Sequence, residues 1–563
     1  MFMGCLAVLG LSGGLTDSVR VSVFRTSLLC ALTGNTASEE CQAMFRLGIK
    51  HLALSFYCCR GFLRDTAERK HSMKATPSLD RYNELLRPAR DRFETSHGFQ
   101  AIQTNSDPCL LEAFLLYFSA IGSQMTEPVE GWIRQAASRC EELGFSDLAQ
   151  ALNRHAKAEA GHHLMMIADL RSLAAHWNSR YTPKADPDLL LCMEPNAGAR
   201  SYCWVHEENI AGNTPYAQIA IEYEIEQLPL RYGGLFIARC LEIFGPEILS
   251  SLSFVTEHID LDVGHTKFNA QQLAKFIDAY PESLPALVEA GSSALDAYTQ
   301  FLTDCVALAF ERSKAASIGL ETSSPFLSWK LHAPLQGVNI QAGEPLPNWV
   351  EEVRTLRAAT LFDNGRRPHF KTSDGSYIDA DPIDLHAWHI LAYSGNRLAG
   401  CVRVYPLSNG GPPCLTELLL GEKEFSQVLY TLGRNHDNAI EVGRWVVDPA
   451  LRAQGNLAPG IGVQLAAASG ALAFALVKQA KNADGVAIFS AGSRNRQYLT
   501  LSRLGLKPVP GVEPVDSNEY DDVIRVMYCS STDDLQPRFL RLMDAMEEAI
   551  GFEQLGPELA MSS

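Results

Sequence analysis

From about residue 107 to residue 320, apolar positions recur every three to four residues with almost no strand-like alternation, which predicts a domain of long amphipathic helices. Cys109 to Glu142 predicts one or two helices. Ser146-Asp147 has N-cap chemistry and opens a helix to about Trp177, where HWNSRYTPKADPD breaks the pattern with Asn, Ser and Pro. A further helix starts near Thr214-Pro215, runs through IAIEYEIEQL, meets Pro229 and resumes toward Phe244. Gly245-Pro246 punctuates, 247 to about 277 is helical again, and shorter helices follow to about Lys314.

The pattern then changes. Residues 319–345 are rich in Ser, Pro and Gly and predict a linker. AWHILAYS, a Gly395-Asn396 turn and RLAGCVRVY predict a two-stranded hairpin. AIEVGRWVV predicts another strand, followed by an Ala-rich helix from about Gly460 to Lys481, the buried strand GVAIFSA and a further helix. This order describes an α/β domain. The expected division is an extension over 1–72, a helical domain over 73–318, the linker, an α/β domain over 346–532, and a terminal helix and tail over 533–563. Helical patterning starts only after Met73, so the extension reads either as residues before a natural start near Met73 or as a poorly structured segment.

Composition narrows the function classes. With 48 Lys plus Arg against 65 Asp plus Glu, the net charge is −17, and no basic run offsets it locally, so nucleic-acid binding is disfavoured. Fourteen scattered Cys without a C-x2-C pair suit a reducing compartment, which reads as cytoplasmic. No run reaches the roughly 18–20 uninterrupted apolar residues of a membrane span. The apolar first residues lack a basic n-region and contain Asp17, which argues against a signal peptide.

The helical region carries one pattern twice: His155-x3-Glu159-x-Gly-His162 and His258-x3-Asp262-x-Gly-His265. At about 3.6 residues per turn, positions i, i+4 and i+7 share a narrow arc, so each helix is expected to aim two imidazoles and a carboxylate into one space. His155 is the weakest of these as a direct ligand, and His163 offers a substitute for His162. Facing helices with such ligands, plus a Glu from each of two others, build di-iron or di-manganese carboxylate sites in four-helix proteins. Glu127 and Glu130 in MTEPVEGW, and Glu222 and Glu226 in AIEYEIEQ, are the candidate further carboxylates, with Glu224 a weaker one. An ionised carboxylate on an apolar helix is costly unless paired or bound to a cation.

On these residues, about 100 to 315 resembles the haem-oxygenase-like di-iron oxidases and oxygenases: His258, Asp262 and His265 match the last core helix, Glu159 and His162 an earlier ligand helix. Glu226 or Glu222 matches the Glu before the final triad. The resemblance implies two Fe(II) per chain and O2-dependent oxidation of an amine, amino acid or fatty acid. True haem oxygenase fits less well, because haem takes a single proximal His.

In the α/β domain, the strand ending at Val447, followed by Asp448-Pro449-Ala450-Leu451-Arg452 and a Gly-containing turn into a helix, resembles motif A of the GNAT acyltransferases. A helix N-terminus with small residues lets backbone N–H groups approach a pyrophosphate. The Gln/Arg-x-x-Gly-x-Gly/Ala signature fits in two imperfect ways, as Arg452 with Gly455 or as Gly460 with Gly462; the second is favoured, with Arg452 reaching in from an enlarged loop. SAGSRNRQYLTLSRLGL resembles motif B with Asn495 and Gly505 in register. Ser502 stands where many members carry a Tyr acid, and Glu441 is a candidate base. The strand also resembles those of acyl-homoserine-lactone and long-chain N-acyl amino acid synthases. The resemblance, over about 346–530, implies an acyl-CoA or acyl-carrier-protein thioester as donor.

The expected architecture is therefore multidomain: an all-α haem-oxygenase-like bundle followed by an α/β GNAT-like domain. The expected function is a bifunctional biosynthetic enzyme, a non-haem di-iron oxidase of an amine or amino acid joined to an N-acyltransferase. An acyltransferase with a non-redox helical scaffold, and a non-enzyme binding metal and acyl carrier, are the competing readings. An acyl carrier protein and a second copy of the chain are candidate partners.

Overall fold

The computed structural model describes residues 77–319, 327–335, 346–409, 411–452, 460–479, 485–494 and 497–551, with the side chains of 260–263, 409, 452, 478 and 479 outside the description. The extension 1–72 lies outside the described residues.

The helical half comprises α1 (Pro77–Thr95), α2 (His97–Thr104), α3 (Pro108–Thr126), α4 (Val129–Glu142), α5 (Ser146–Glu159) and α6 (His163–Arg180). There follow α7 (Pro187–Leu191), α8 (Ala197–Ala211), α9 (Gln218–Leu228), α10 (Gly234–Phe244), α11 (Ser253–Ala279) and α12 (Leu284–Ser317). Asp107 caps α3 by accepting from the Cys109 N–H, with Pro108 in the first turn. Apolar on every side, α3 forms the centre of the bundle, where Leu116, Tyr117, Ala120 and Ile121 are wholly buried. The stretch Pro108–Glu142 has the length and apolarity of a membrane span, and 83% of its most apolar window is buried inside the protein.

Two irregularities shape the bundle. The helix expected from Ser146 to Trp177 is broken, because Gly161 adopts φ +81, a left-handed conformation that ends α5 and lets α6 start at His163. After α9, Pro229 lacks the N–H that would continue the ladder, and Pro229–Gly233 forms a π turn leading into α10. At Gly233 a Cβ would lie 2.9 Å from Cγ1 of Ile259, so glycine permits the close approach of α11 to this turn.

The second half is one mixed sheet in the order β1-β2-β3-β4-β5-β8-β6, with β7 also paired to β8. Its strands are β1 (Leu327–His332), β2 (Trp388–Ser394), β3 (Arg397–Pro406), β4 (Ala439–Val447), β5 (Val486–Gly492), β6 (Lys507–Pro508), β7 (Val515–Ser517) and β8 (Asp522–Cys529). Its helices are α13 (Asn348–Phe362), α14 (Leu415–Leu420), α15 (Glu422–Thr431), α16 (Ile461–Gln479), α17 (Gln497–Leu504) and α18 (Pro537–Ile550), with one helical turn at Pro449–Arg452. The expected hairpin is β2 and β3, turning at Gly395 with φ 61. β1 falls inside the stretch read as linker: Leu327, Trp329 and Leu331 alternate onto the core while the strand pairs antiparallel with β2.

Among the described residues, only β4 and β5 run parallel, and their pairing stops at Val442 with Phe489. Beyond it β4 carries a bulge, with the register to β3 shifting and Arg444 at φ 53, so the two strands part and open a cleft. α16 connects β4 to β5, its Ala-rich face lying close on β3, where a Cβ on Gly400 would be 2.8 Å from Cδ1 of Leu465. α18 packs Phe539, Leu542, Met543 and Met546 into the same core.

Candidate functional site

α5 with the turn that follows it, α9 and α11 bring six of the sequence-derived candidate residues together. His155, Glu159, Glu226 and His265 place one ligand atom each within 4.8 Å of one another, and Glu159, His162 and His258 do the same. Glu159 is common to both groups. Each repeated motif was expected to converge on one point, and the structure divides it: His155 lies beside His265 with ring centroids 5.5 Å apart, and His162 beside His258 at 4.7 Å. The two segments therefore run in opposite directions, and each gives one His to each group. Along α11, the seven residues from His258 to His265 span about 10 Å of helix rise, enough to separate two neighbouring cation positions.

His162 reaches the site by the break at Gly161 rather than by helical periodicity. Its Nδ1 is 2.9 Å from Oε2 of Glu159, and Nδ1 of His265 is 3.3 Å from Oε1 of the same carboxylate. His155 Nε2 lies 3.2 Å from Oε1 of Glu226 and 3.6 Å from Oε2 of Glu222, which places Glu222 at the edge of the first group. Burial pushes the Glu159 carboxyl up, but hydrogen bonds to the His162 and His265 rings outweigh it and hold the group well below the usual carboxylate range.

Neighbours orient these side chains. Asn269 Nδ2 donates to Oε2 of Glu226 at 2.6 Å, and Gln218 Nε2 donates to Oε1 of Glu222 at 2.6 Å. His258 Nδ1 is 2.7 Å from the Phe254 carbonyl, which only accepts, so Nδ1 carries the proton and Nε2 is left as a lone-pair donor. His155 Nε2 and His162 Nδ1 are buried and face carboxylate oxygens of Glu226 and Glu159 at 3.2 and 2.9 Å. Buried ring nitrogens of this kind among carboxylates fit a pair of iron or manganese ions.

The other expected ligands are placed elsewhere. Glu127 follows α3, half exposed, and accepts from Nε of Arg503 at 2.8 Å. Glu130, in the first turn of α4, pairs on the surface with Arg134, one turn along. α3 and α4 border the neighbouring cavity with Gly122, Met125, Thr126 and Val129, not with these carboxylates. Glu224 is buried against Arg90, with 2.6 Å between Oε1 and Nη2. His163 begins α6 outside both groups. The side chain of Asp262 lies outside the described residues.

In the second half, the parting of β4 and β5 makes a cavity of about 120 Å³ bordered by Val442, Gly443, Arg444, Ser490, Gln497 and Asp522, among others. Val447 ends β4, buried, and Gly460 and Gly462 flank the start of α16. Gly455, Asn495 and the Arg452 side chain lie outside the described residues. Glu441 is buried next to this cavity, but its carboxylate caps α14: Oε1 accepts from the Thr416 N–H and hydroxyl, each at 2.7 Å, and Oε2 from the Leu415 N–H at 3.1 Å. Ser502 is exposed on the outer face of α17, whereas Gln497 and Leu501 of that helix line the cavity.

One cluster escaped the sequence reading. Arg357, Arg403 and Arg444 interleave with Asp379, Asp381 and Asp384 in a buried network; Arg403 Nη1 is 2.8 Å from Asp381 and Arg357 Nη1 2.6 Å from Asp384. Burial pushes the Asp381 carboxyl up, and the Arg403 and Arg444 guanidiniums more than reverse this. The Asp-x-Asp-x2-Asp spacing of YIDADPID was the available signal, but it lies in a loop whose partners come from three distant elements.

Residues 362–458 match the acetyltransferase (GNAT) domain family. The C-terminal half therefore carries an acetyltransferase domain, fused behind the helical half. Among solved structures, the chain is similar to a domain of unknown function with a haem-oxygenase-like fold from Shewanella denitrificans, at 15% identity over 45% of this chain and 98% of that one, TM-score 0.33. A CADD-like protein of unknown function from Nostoc punctiforme is similar at 15% identity, over 41% of this chain and 99% of that one, TM-score 0.31. BjaI, a CoA-dependent acyl-homoserine lactone synthase, is similar at 15% identity, over 40% of this chain and 90% of that one, TM-score 0.27. No curated protein matches the chain.

Proposed function

We propose that the protein is a bifunctional biosynthetic enzyme: the helical half binds two iron ions and oxidises an amine or amino acid with O2, and the second half transfers an acyl group from a CoA or carrier-protein thioester to an amine. The observation that carries the first part is the position of Glu159, one carboxylate shared by two groups of buried His and Glu. When bound, such an ion pair supplies O2 activation and electrons. The chain's own residues do the rest. His155, Glu226 and His265 would hold one ion and His162 and His258 the other, with Glu159 available to both. Asn269 and Gln218 fix the carboxylates so that neither rotates away when the site is empty.

For the second part, the matched acetyltransferase domain and the parted strands support transfer within the β4–β5 cleft. The bulge at Gly443 and Arg444 borders that cleft, and a backbone N–H there would serve as a donor to a thioester oxygen.

An anaerobic Fe(II) titration of metal-free protein tests the reading. About two irons per chain, with an absorption change on mixing with O2, is expected. Failure to take up iron would move the function to acyl transfer alone, with the helical half as a scaffold.

A further inference from the structure

A second chamber adjoins the ligand cluster. The inner chamber, about 90 Å³, is bordered by Glu159, Glu226 and His258 on one side and by apolar side chains such as Met125 and Met166 on the other. The outer chamber, about 100 Å³, is walled by Phe93, Phe99, Phe114, Phe118 and Phe236. Pro229, Phe254 and Tyr298 border both. The pair follows α3 turn by turn, from Phe114 and Phe118 in the outer chamber to Gly122 and Met125 in the inner one. Eleven residues of helix, from Phe114 to Met125, make this path about 16 Å long.

Its chemistry is as informative as its shape. Among the described residues, no charged side chain lines the outer chamber. Among its polar lining groups, the Tyr232 hydroxyl is already given to Glu94. A free amino acid, with two charges to solvate, has no charged partner there, whereas a linear apolar chain matches the length and the walls. The π turn at Pro229–Gly233 sits where the chambers meet and widens the helix at that point.

We infer that the two chambers hold a linear acyl chain, threaded past the aromatic walls toward Glu159 and Glu226. This rests on reading the cluster as a metal centre, and it deepens that reading by naming the ligand class. Such a chain has two sources, a free fatty acid or an amine acylated by the second half. In the latter case acyl transfer precedes oxidation.

Calorimetric titration of the metal-free full-length protein with N-acylglycines and free fatty acids of increasing chain length tests this. Affinity is expected to rise roughly fourfold per methylene up to a limiting length. Tighter binding of the N-acylglycines would identify the acylated amine as the source; tighter binding of the free acids would identify the fatty acid. Val255→Phe should shorten the limit and Phe236→Ala should lengthen it. Absence of chain-length dependence, or a limit unmoved in both variants, overturns the inference. Iron uptake, read separately, keeps the two readings apart: chain binding retained in His265→Ala with iron lost supports both, and chain binding absent while wild type takes up iron removes only this one.

Discussion

The Glu194 carboxylate lies over Gly462, its Oε1 only 1.7 Å from where a Cβ on that glycine would sit, and its Cδ is 3.7 Å from the corresponding point on Gly460. Glu194 comes from the helical half, between α7 and α8, and Gly462 from the first turn of α16. An anionic side chain thus rests at a helix start read from the sequence as an anion-binding turn.

If CoA phosphates use that turn, they must displace Glu194. Glu194→Gln is expected to tighten CoA binding about two- to fivefold, corresponding to roughly 0.5–1 kcal/mol for a charge at a helix terminus. Calorimetric titration with CoA checks it, and an unchanged dissociation constant would place the donor elsewhere. Gly462→Trp should block CoA and also push Glu194 aside.

Glu159 is the one residue shared by both ligand groups. Replacement by Gln should therefore reduce iron below one per chain, whereas His258→Ala should lower it from about two to about one. Metal analysis after desalting, with circular dichroism to confirm folding, distinguishes them. Equal losses in the two variants would contradict a shared carboxylate.

Glu441 accepts three hydrogen bonds at the start of α14. Glu441→Ala leaves those buried donors unmatched and should cost about 2–3 kcal/mol of stability; Glu441→Gln, which keeps an acceptor, should cost about 1 kcal/mol. Thermal unfolding reads the difference. A Gln variant of normal stability that loses acyl transfer by a hundredfold or more would instead assign this carboxylate to proton transfer.

His389 is buried on β2, where desolvation lowers its pKa from 6.5 to about 3 against the raising effect of nearby Asp384. Its folded value lies below its unfolded one, so the unfolded chain binds the extra proton between those limits. Stability is full above pH 6.5 and is lost as pH falls toward 3, by up to about 1.4 kcal/mol per pH unit. His389→Gln should flatten that part of the curve in denaturant titrations at several pH values.

The helical bundle, the β2–β3 hairpin, β4, β5 and α16 were legible in the sequence, because each is set by local periodicity or by a turn residue such as Gly395. β1 was not, since its six residues sit in a Ser- and Pro-rich stretch and only pairing with β2 makes them a strand. The acetyltransferase domain was legible from the strand and turn around Val447, and the match over 362–458 agrees with it.

At the helical site, sequence alone determined which residue types were available: His and Glu at one-turn spacing on an apolar helix, as in Glu222 and Glu226, have few other reasons to be there. Tertiary structure decided how they are shared. Seven residues of separation cannot say whether two histidines meet at one point or serve two; the opposed directions of the motif segments send His155 to His265 and His162 to His258. It also turned Glu127 away to Arg503, in the other half of the chain. Periodicity reports the face of a helix, whereas a ligand group is made by which faces meet, and that depends on packing between residues a hundred positions apart.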